Sequence, residues 1–133
     1  MKKIVISGSS KLQDKVNYWI NYFKDKYEIL DYPKFVKPEN YLTELPSVYE
    51  NFYTALENTD VFFLMNEEKN GIKGYIGASA TAELTYVVIQ NLLHHKNIDI
   101  YILNMPSKEV SAYDEVKFWL DVGWIKLYKE DYK

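Results

Sequence analysis

Short apolar runs alternate with stretches of helical periodicity along this chain, and the segments joining the runs are too long for hairpins. Ile4-Val5-Ile6 is the first run. Residues 11–26 follow, with Leu12, Val16, Trp19, Ile20 and Phe23 spaced three and four apart on one helical face. Ser9 or Ser10 is a natural N-cap for that helix. Residues 27–30 read as a second strand. Residues 31–46 carry three of the four prolines and little periodicity, which predicts a long connection or lid over a crevice. Residues 47–58 return to helix, with Ser47 as cap and Val48, Phe52, Ala55 and Leu56 inward. Residues 61–65 form the third strand, 79–95 a long helix and 98–103 the fourth strand. A helix over 110–122 is stopped by Gly123, and 124–128 is a fifth strand or a short extension.

Strand and helix in strict alternation predict an α/β fold with a mainly parallel sheet and helices on both faces. Five strands point to a flavodoxin-like, Rossmann-like three-layer sandwich of order 2-1-3-4-5 with the first strand inside the sheet. The chain of 133 residues reads as a single domain spanning 1–133.

Composition narrows the function classes. The chain is 47% apolar and 26% charged, as expected of a folded globular protein. A net charge of −3 gives no footprint for nucleic acid or an anionic membrane, so neither is expected as a partner. Cysteine is absent, which removes disulfides, thiolate nucleophiles and Cys-ligated metals; His94 and His95 are the two histidines. No metal site and no cofactor are expected. All sixteen basic residues are lysine, so no guanidinium fork can clamp a phosphate. The apolar part of the N-terminus is too short for a signal peptide, and the expected location is the cytoplasm.

In this fold, ligands bind outside the carboxyl ends of the strands where the strand order reverses. Here that point lies between the first and third strands, so the loops over residues 7–10 and 66–79 converge on one crevice. Ser7, Gly8, Ser9 and Ser10 supply backbone donors and hydroxyls at a helix N-terminus, although they match neither the dinucleotide nor the P-loop pattern. A tight turn with a capping serine explains them equally well. The second loop ends in Gly77, Ser79 and Thr81, small or hydroxyl-bearing residues that leave room for a ligand, and Glu83 follows in an otherwise apolar helix. Glu83 is either the reactive carboxylate or a solvated acid favoured by the helix dipole. Asn66 opens the loop. Tyr75 is placed to stack on a base, whereas the other tyrosines read as packing residues. Asp60 reads from its position as a turn residue accepting backbone N–H bonds.

The segments Ile-Val-Ile-Ser-Gly-Ser, Asn-Thr-Asp-Val-Phe-Phe-Leu-Met-Asn and Gly-Tyr-Ile-Gly-Ala-Ser-Ala-Thr-Ala-Glu-Leu-Thr-Tyr resemble the nucleoside 2-deoxyribosyltransferase family, which includes deoxynucleotide N-glycosidases. The resemblance implies that Glu83 is the nucleophile, forming a covalent deoxyribosyl-enzyme that a second base or water resolves through an oxocarbenium-like transition state. It implies a catalytic place for Asp60 too, at the start of the third strand. The family's further acid, which serves the nucleobase, falls at Phe52 here; Glu50 and Asn51 stand just before it. The implied partner is a small nucleoside or nucleotide, and the implied assembly a homo-oligomer. With no arginine and a negative net charge, the donors of Ser9, Ser10, Ser79 and Thr81 suit a 5′-hydroxyl nearly as well as a 5′-phosphate, which leans the expectation toward nucleosides over monophosphates. Two alternatives stand beside this reading: a non-catalytic nucleotide-binding or sensor domain, and a flavin carrier. The first loop lacks the threonine-flanked phosphate loop of flavin carriers.

Overall fold

The computed structural model describes residues 1–129. Five strands form one all-parallel sheet in the order β2-β1-β3-β4-β5. They are β1 (Lys3–Ser7), β2 (Glu28–Asp31), β3 (Val61–Leu64), β4 (Asp99–Ile102) and β5 (Lys126–Leu127). The helices are α1 (Gln13–Phe23), α2 (Tyr41–Asn58), α3 (Ala78–His94) and α4 (Tyr113–Asp121). The order predicted from alternation is the order found, with β1 interior.

Interior strands of a parallel sheet are covered on both faces, and their residues divide accordingly. Ile4, Ile6, Val61, Phe63 and Met65 pack on one side against Val16, Trp19 and Phe23 of α1, joined by Tyr128. Val5, Phe62, Leu64, Ile100 and Ile102 face the other way, toward α2, α3 and α4. That side is sealed by Phe52, Leu56, Leu84, Val88, Val116 and Trp119. The apolar runs 4–6 and 61–65 thus read as unbroken hydrophobic strings because both faces of each strand are buried.

Besides α4, which begins at Tyr113 and not at 110, three boundaries differ from expectation. The first helix begins at Gln13, and neither Ser9 nor Ser10 caps it; Leu12 precedes it without a side-chain cap. Gln13 instead turns its amide back, donating to Ser10 O at 2.7 Å and to Pro33 O at 3.2 Å. This ties the loop after β1 to the loop after β2. The second correction is α2, which starts at Tyr41 after a 3-10 turn (Pro38–Asn40) and carries Pro46 inside it. Proline removes the hydrogen bond to the carbonyl four residues back, which belongs to Leu42. Leu42 is 94% exposed, so water can satisfy that carbonyl. The predicted long lid is therefore a short connection over 32–37 and an extra turn and a half of helix. Third, β5 is two residues long, shorter than the run at 124–128 implied. Gly123 does take a left-handed φ of +80° just after α4. Among the described residues no helix is long and apolar enough to cross a membrane.

Candidate functional site

The carboxyl ends of β1, β2 and β3 open into a pocket of about 310 Å³, at the low end of the range for small-molecule sites. Its walls come from the loop after β1, the loop after β2, one face of α2, the loop after β3 and the first turns of α3. The predicted crossing point of strand order is where it lies.

Glu83 reaches the pocket from the second turn of α3. Ser7, the last residue of β1 and fully buried, donates its hydroxyl to Glu83 Oε1 at 2.6 Å. The strand alternation that turns Ile4 and Ile6 toward α1 sends Val5 and Ser7 to the face of α3. Among the described residues Glu83 Oε2 accepts no hydrogen bond, and no buried polar atom lacks a partner. One carboxylate oxygen is thus anchored, and the other takes no hydrogen bond from the described residues. Burial pushes the Glu83 carboxyl up to about 7, opposed by the Ser7 hydrogen bond and assisted by the charge of Asp31. The Tyr53 hydroxyl is raised by its own burial and by the nearby charge of Glu83.

The remaining predicted residues separate into two groups. Gly8, Ser9, Ser10, Tyr75, Gly77 and Ser79 line the pocket with Glu83. Gly8 has φ +154°, and a Cβ there would lie 2.6 Å from Met65 Cγ, so the loop needs glycine to turn over β3. Gly77 precedes α3 with no side-chain cap, leaving first-turn N–H groups facing the pocket. The Ser79 and Tyr49 hydroxyls lie 3.3 Å apart and bridge α3 to α2.

Asp60, Glu50, Asn51, Asn66 and Thr81 are not among the pocket's lining residues. Asp60 sits at the amino end of β3, opposite the crevice, where its carboxylate accepts the Lys3 N–H at 2.9 Å. The turn reading of Asp60 describes its place, and the catalytic one does not. Glu50 and Asn51 point outward from α2, because Leu45, Val48, Tyr49 and Phe52 are the helix face that lines the pocket. Thr81 folds its hydroxyl back onto Gly77 O at 2.8 Å. Asn66 is buried and binds the next loop. Its Nδ2 donates to Asn104 O at 2.6 Å and its Oδ1 accepts the Asn104 N–H at 2.9 Å.

Sequence reading set the connection after β2 over the crevice but named none of its residues as part of the site. Asp31 ends β2, is 5% exposed, and accepts Lys34 Nζ at 2.6 Å and the Tyr32 N–H at 2.8 Å. Lys34 and Tyr32 then line the pocket, with the ammonium 5.0 Å from the Tyr32 ring centre. Lys69 lies 4.9 Å over the Tyr75 ring, and Lys11 stands at the rim. Three lysines from three loops thus line the pocket of a chain that has no arginine. The signal available was positional: an acid at a strand's carboxyl end followed by Tyr-Pro-Lys.

No family model matches the chain, and no curated protein matches it in sequence.

Proposed function

We propose that this protein cleaves the N-glycosidic bond of a nucleoside or nucleotide, by hydrolysis or base exchange, with Glu83 as nucleophile. The observation that carries the reading is the split environment of that carboxylate. Oε1 is fixed by buried Ser7, and Glu83 lines an aromatic-walled pocket at the strand crossing point. An anchored, water-poor carboxylate is suited to attack an anomeric carbon and to stabilise positive charge developing there. Tyr32, Tyr49, Phe52 and Tyr75 offer ring faces for a base. The three lysines, with the N–H groups opening α3, tip the expectation toward a phosphorylated sugar over a free 5′-hydroxyl. The resemblance at residues 58–66 and 74–86 supports the same chemistry. The test is release of free base from a panel of nucleosides and their 5′-monophosphates, followed by chromatography. Release that Glu83→Gln abolishes supports the reading. Ligand binding without release, in both proteins, replaces it with a sensor role.

We also propose a homo-oligomer. Phe35, Tyr41 and Leu42, exposed on the connection and helix beside the pocket mouth, offer apolar surface to a second copy. Light scattering at micromolar concentration is the check, and a monomer mass rejects it.

A further inference from the structure

Breaking an N-glycosidic bond leaves an electron pair on the departing base. A proton donor must meet that pair, and a well-placed one contributes about 10²- to 10⁴-fold. Glu83, as the attacking group, cannot give a proton in the same step. Other donors line the pocket: the ammonium groups of Lys11, Lys34 and Lys69 and the hydroxyls of Tyr32, Tyr49 and Tyr75. Their surroundings separate them. Lys34 is held by Asp31 at 2.6 Å and lies over the Tyr32 ring. Lys69 sits on a turn closed with Ile72 by backbone bonds of 3.1 and 3.0 Å, and lies over the Tyr75 ring. Lys11 is exposed on the loop after β1.

Tyr49 is placed differently. Of the four α2 residues lining the pocket, Leu45, Val48, Tyr49 and Phe52, it alone carries a polar side chain. Its hydroxyl crosses to α3 and lies 3.3 Å from Ser79 Oγ. Ser79 and Glu83 are four residues apart on α3, so they share a face, about 6 Å apart along the helix axis. That is the scale of the roughly 5 to 5.5 Å between nucleophile and acid in retaining glycosidases. The Tyr53 hydroxyl, raised first by burial, is raised further by Glu83 and by Tyr49, which sets all three in one neighbourhood. Glu83 lies deeper than Ser79 and Tyr49, which are exposed. A sugar seated against Glu83 therefore projects its base outward, toward the Tyr49 hydroxyl.

We propose that Tyr49 is a second catalytic residue, giving its hydroxyl proton to the departing base and recovering one from water. This rests on the role of Glu83 proposed above. In the first step a Glu83 carboxylate oxygen bonds to the anomeric carbon and the carbon–nitrogen bond breaks. Its electron pair goes to the base, which takes the Tyr49 proton and leaves neutral. The Tyr49 oxygen, now negative, accepts a hydrogen bond from the Ser79 hydroxyl and sits beside the positive end of the α3 dipole. In the second step water adds at the anomeric carbon and passes one proton to that oxygen. The ester carbon–oxygen bond breaks with its pair returning to Glu83, and both residues regain their starting states.

The experiment uses two substrates, 2′-deoxyguanosine 5′-monophosphate and its N7-methyl derivative. The methylated ring is already positive, so it departs as a neutral base with no proton delivered and bypasses the donor. Base release by the full chain and by Tyr49→Phe is measured net of release with Glu83→Gln. Tyr49→Phe keeps the ring and removes only the hydroxyl. The expected result is a fall in kcat of at least about 100-fold on the unmethylated substrate. On the methylated one kcat should stay within about threefold, and KM should change little on either. Equal losses on both substrates give the hydroxyl a merely structural role, and no loss on either assigns the proton to another group. Release from the methylated substrate alone by the unmutated chain shows that no donor acts. Each of these overturns the inference and leaves the Glu83 reading standing. No Glu83-dependent release from either substrate overturns both.

Discussion

Two glutamates on neighbouring helices have opposite surroundings. Glu83 on α3 sits at the carboxyl end of the sheet, largely out of water, with one hydroxyl donor and another acid close by. Glu57, near the end of α2, accepts the Tyr86 hydroxyl at 2.5 Å and Lys96 Nζ at 3.3 Å in exposed surroundings. The Tyr86 hydrogen bond and then Lys96 hold its carboxyl below the usual range. Glu57 is therefore a fixed anion fastening α3 to α2. Glu83 is held near the point where gaining or losing a proton costs least. Fold position, rather than residue type, separates the carboxylate proposed as nucleophile from a fastening one.

The comparison can be broken most severely at Glu83. Glu83→Gln should lower base release by three orders of magnitude or more, because an amide cannot form the glycosyl ester. The same change should alter the pH dependence of stability. The folded carboxyl is raised above its unfolded value. Its contribution is therefore fully present below about pH 4.5 and lost as pH rises through 7. Replacement should make the variant gain, relative to wild type, roughly 3 kcal/mol more at pH 8 than at pH 4. Urea unfolding at the two pH values checks this.

Two substitutions should move the titration of Glu83 in opposite directions. Ser7→Ala removes the donor that favours the carboxylate, so the inflection in kcat/KM should shift above 7. A charge-assisted hydrogen bond is worth about 1.5 to 3 kcal/mol, and activity at pH 6.5 should fall by at least about tenfold. Asp31→Asn removes a neighbouring negative charge, and the inflection should move below 7 by a smaller amount. It also releases Lys34, so the affinity for a 5′-monophosphate should change more than that for the free nucleoside; calorimetry on such a pair measures this. A common direction for both shifts contradicts the assignment of Glu83 as the titrating group. The smallest effect belongs to Glu57→Gln, which should cost less than about 1 kcal/mol in thermal unfolding and leave base release unchanged.

Strand order and helix placement were legible because a parallel sheet writes itself in short apolar strings separated by periodic helices, and positions 4–6 and 61–65 carry that signal undiluted. Glu83 was legible for a related reason: a single acid in an apolar stretch just after a glycine-containing loop has few structural duties there. Asp31 and Lys34 were not. They lie in a stretch whose prolines speak of irregular chain and say nothing of which side chains turn inward. The start of α2 was hidden by Pro46, since the sequence does not state that Leu42 leaves its carbonyl to water. Asp60 matched a motif, yet its place at the amino end of β3 follows only from the strand direction and the Lys3 contact.

The paired amides of Asn66 and Asn104 carry a consequence for the tempo of this molecule. Loops after strands usually exchange their amide hydrogens within seconds to minutes, since local opening exposes them. Here the Asn104 N–H is bound to the buried Asn66 side chain, while Asn104 Nδ2 donates to Asn66 O at 3.1 Å. Three hydrogen bonds between these two residues lace the two loops to each other. The Asn104 amide should therefore retain deuterium or protium on the timescale of the sheet itself. The start of the loop after β3 is then held before any ligand arrives, and binding has no need to order it.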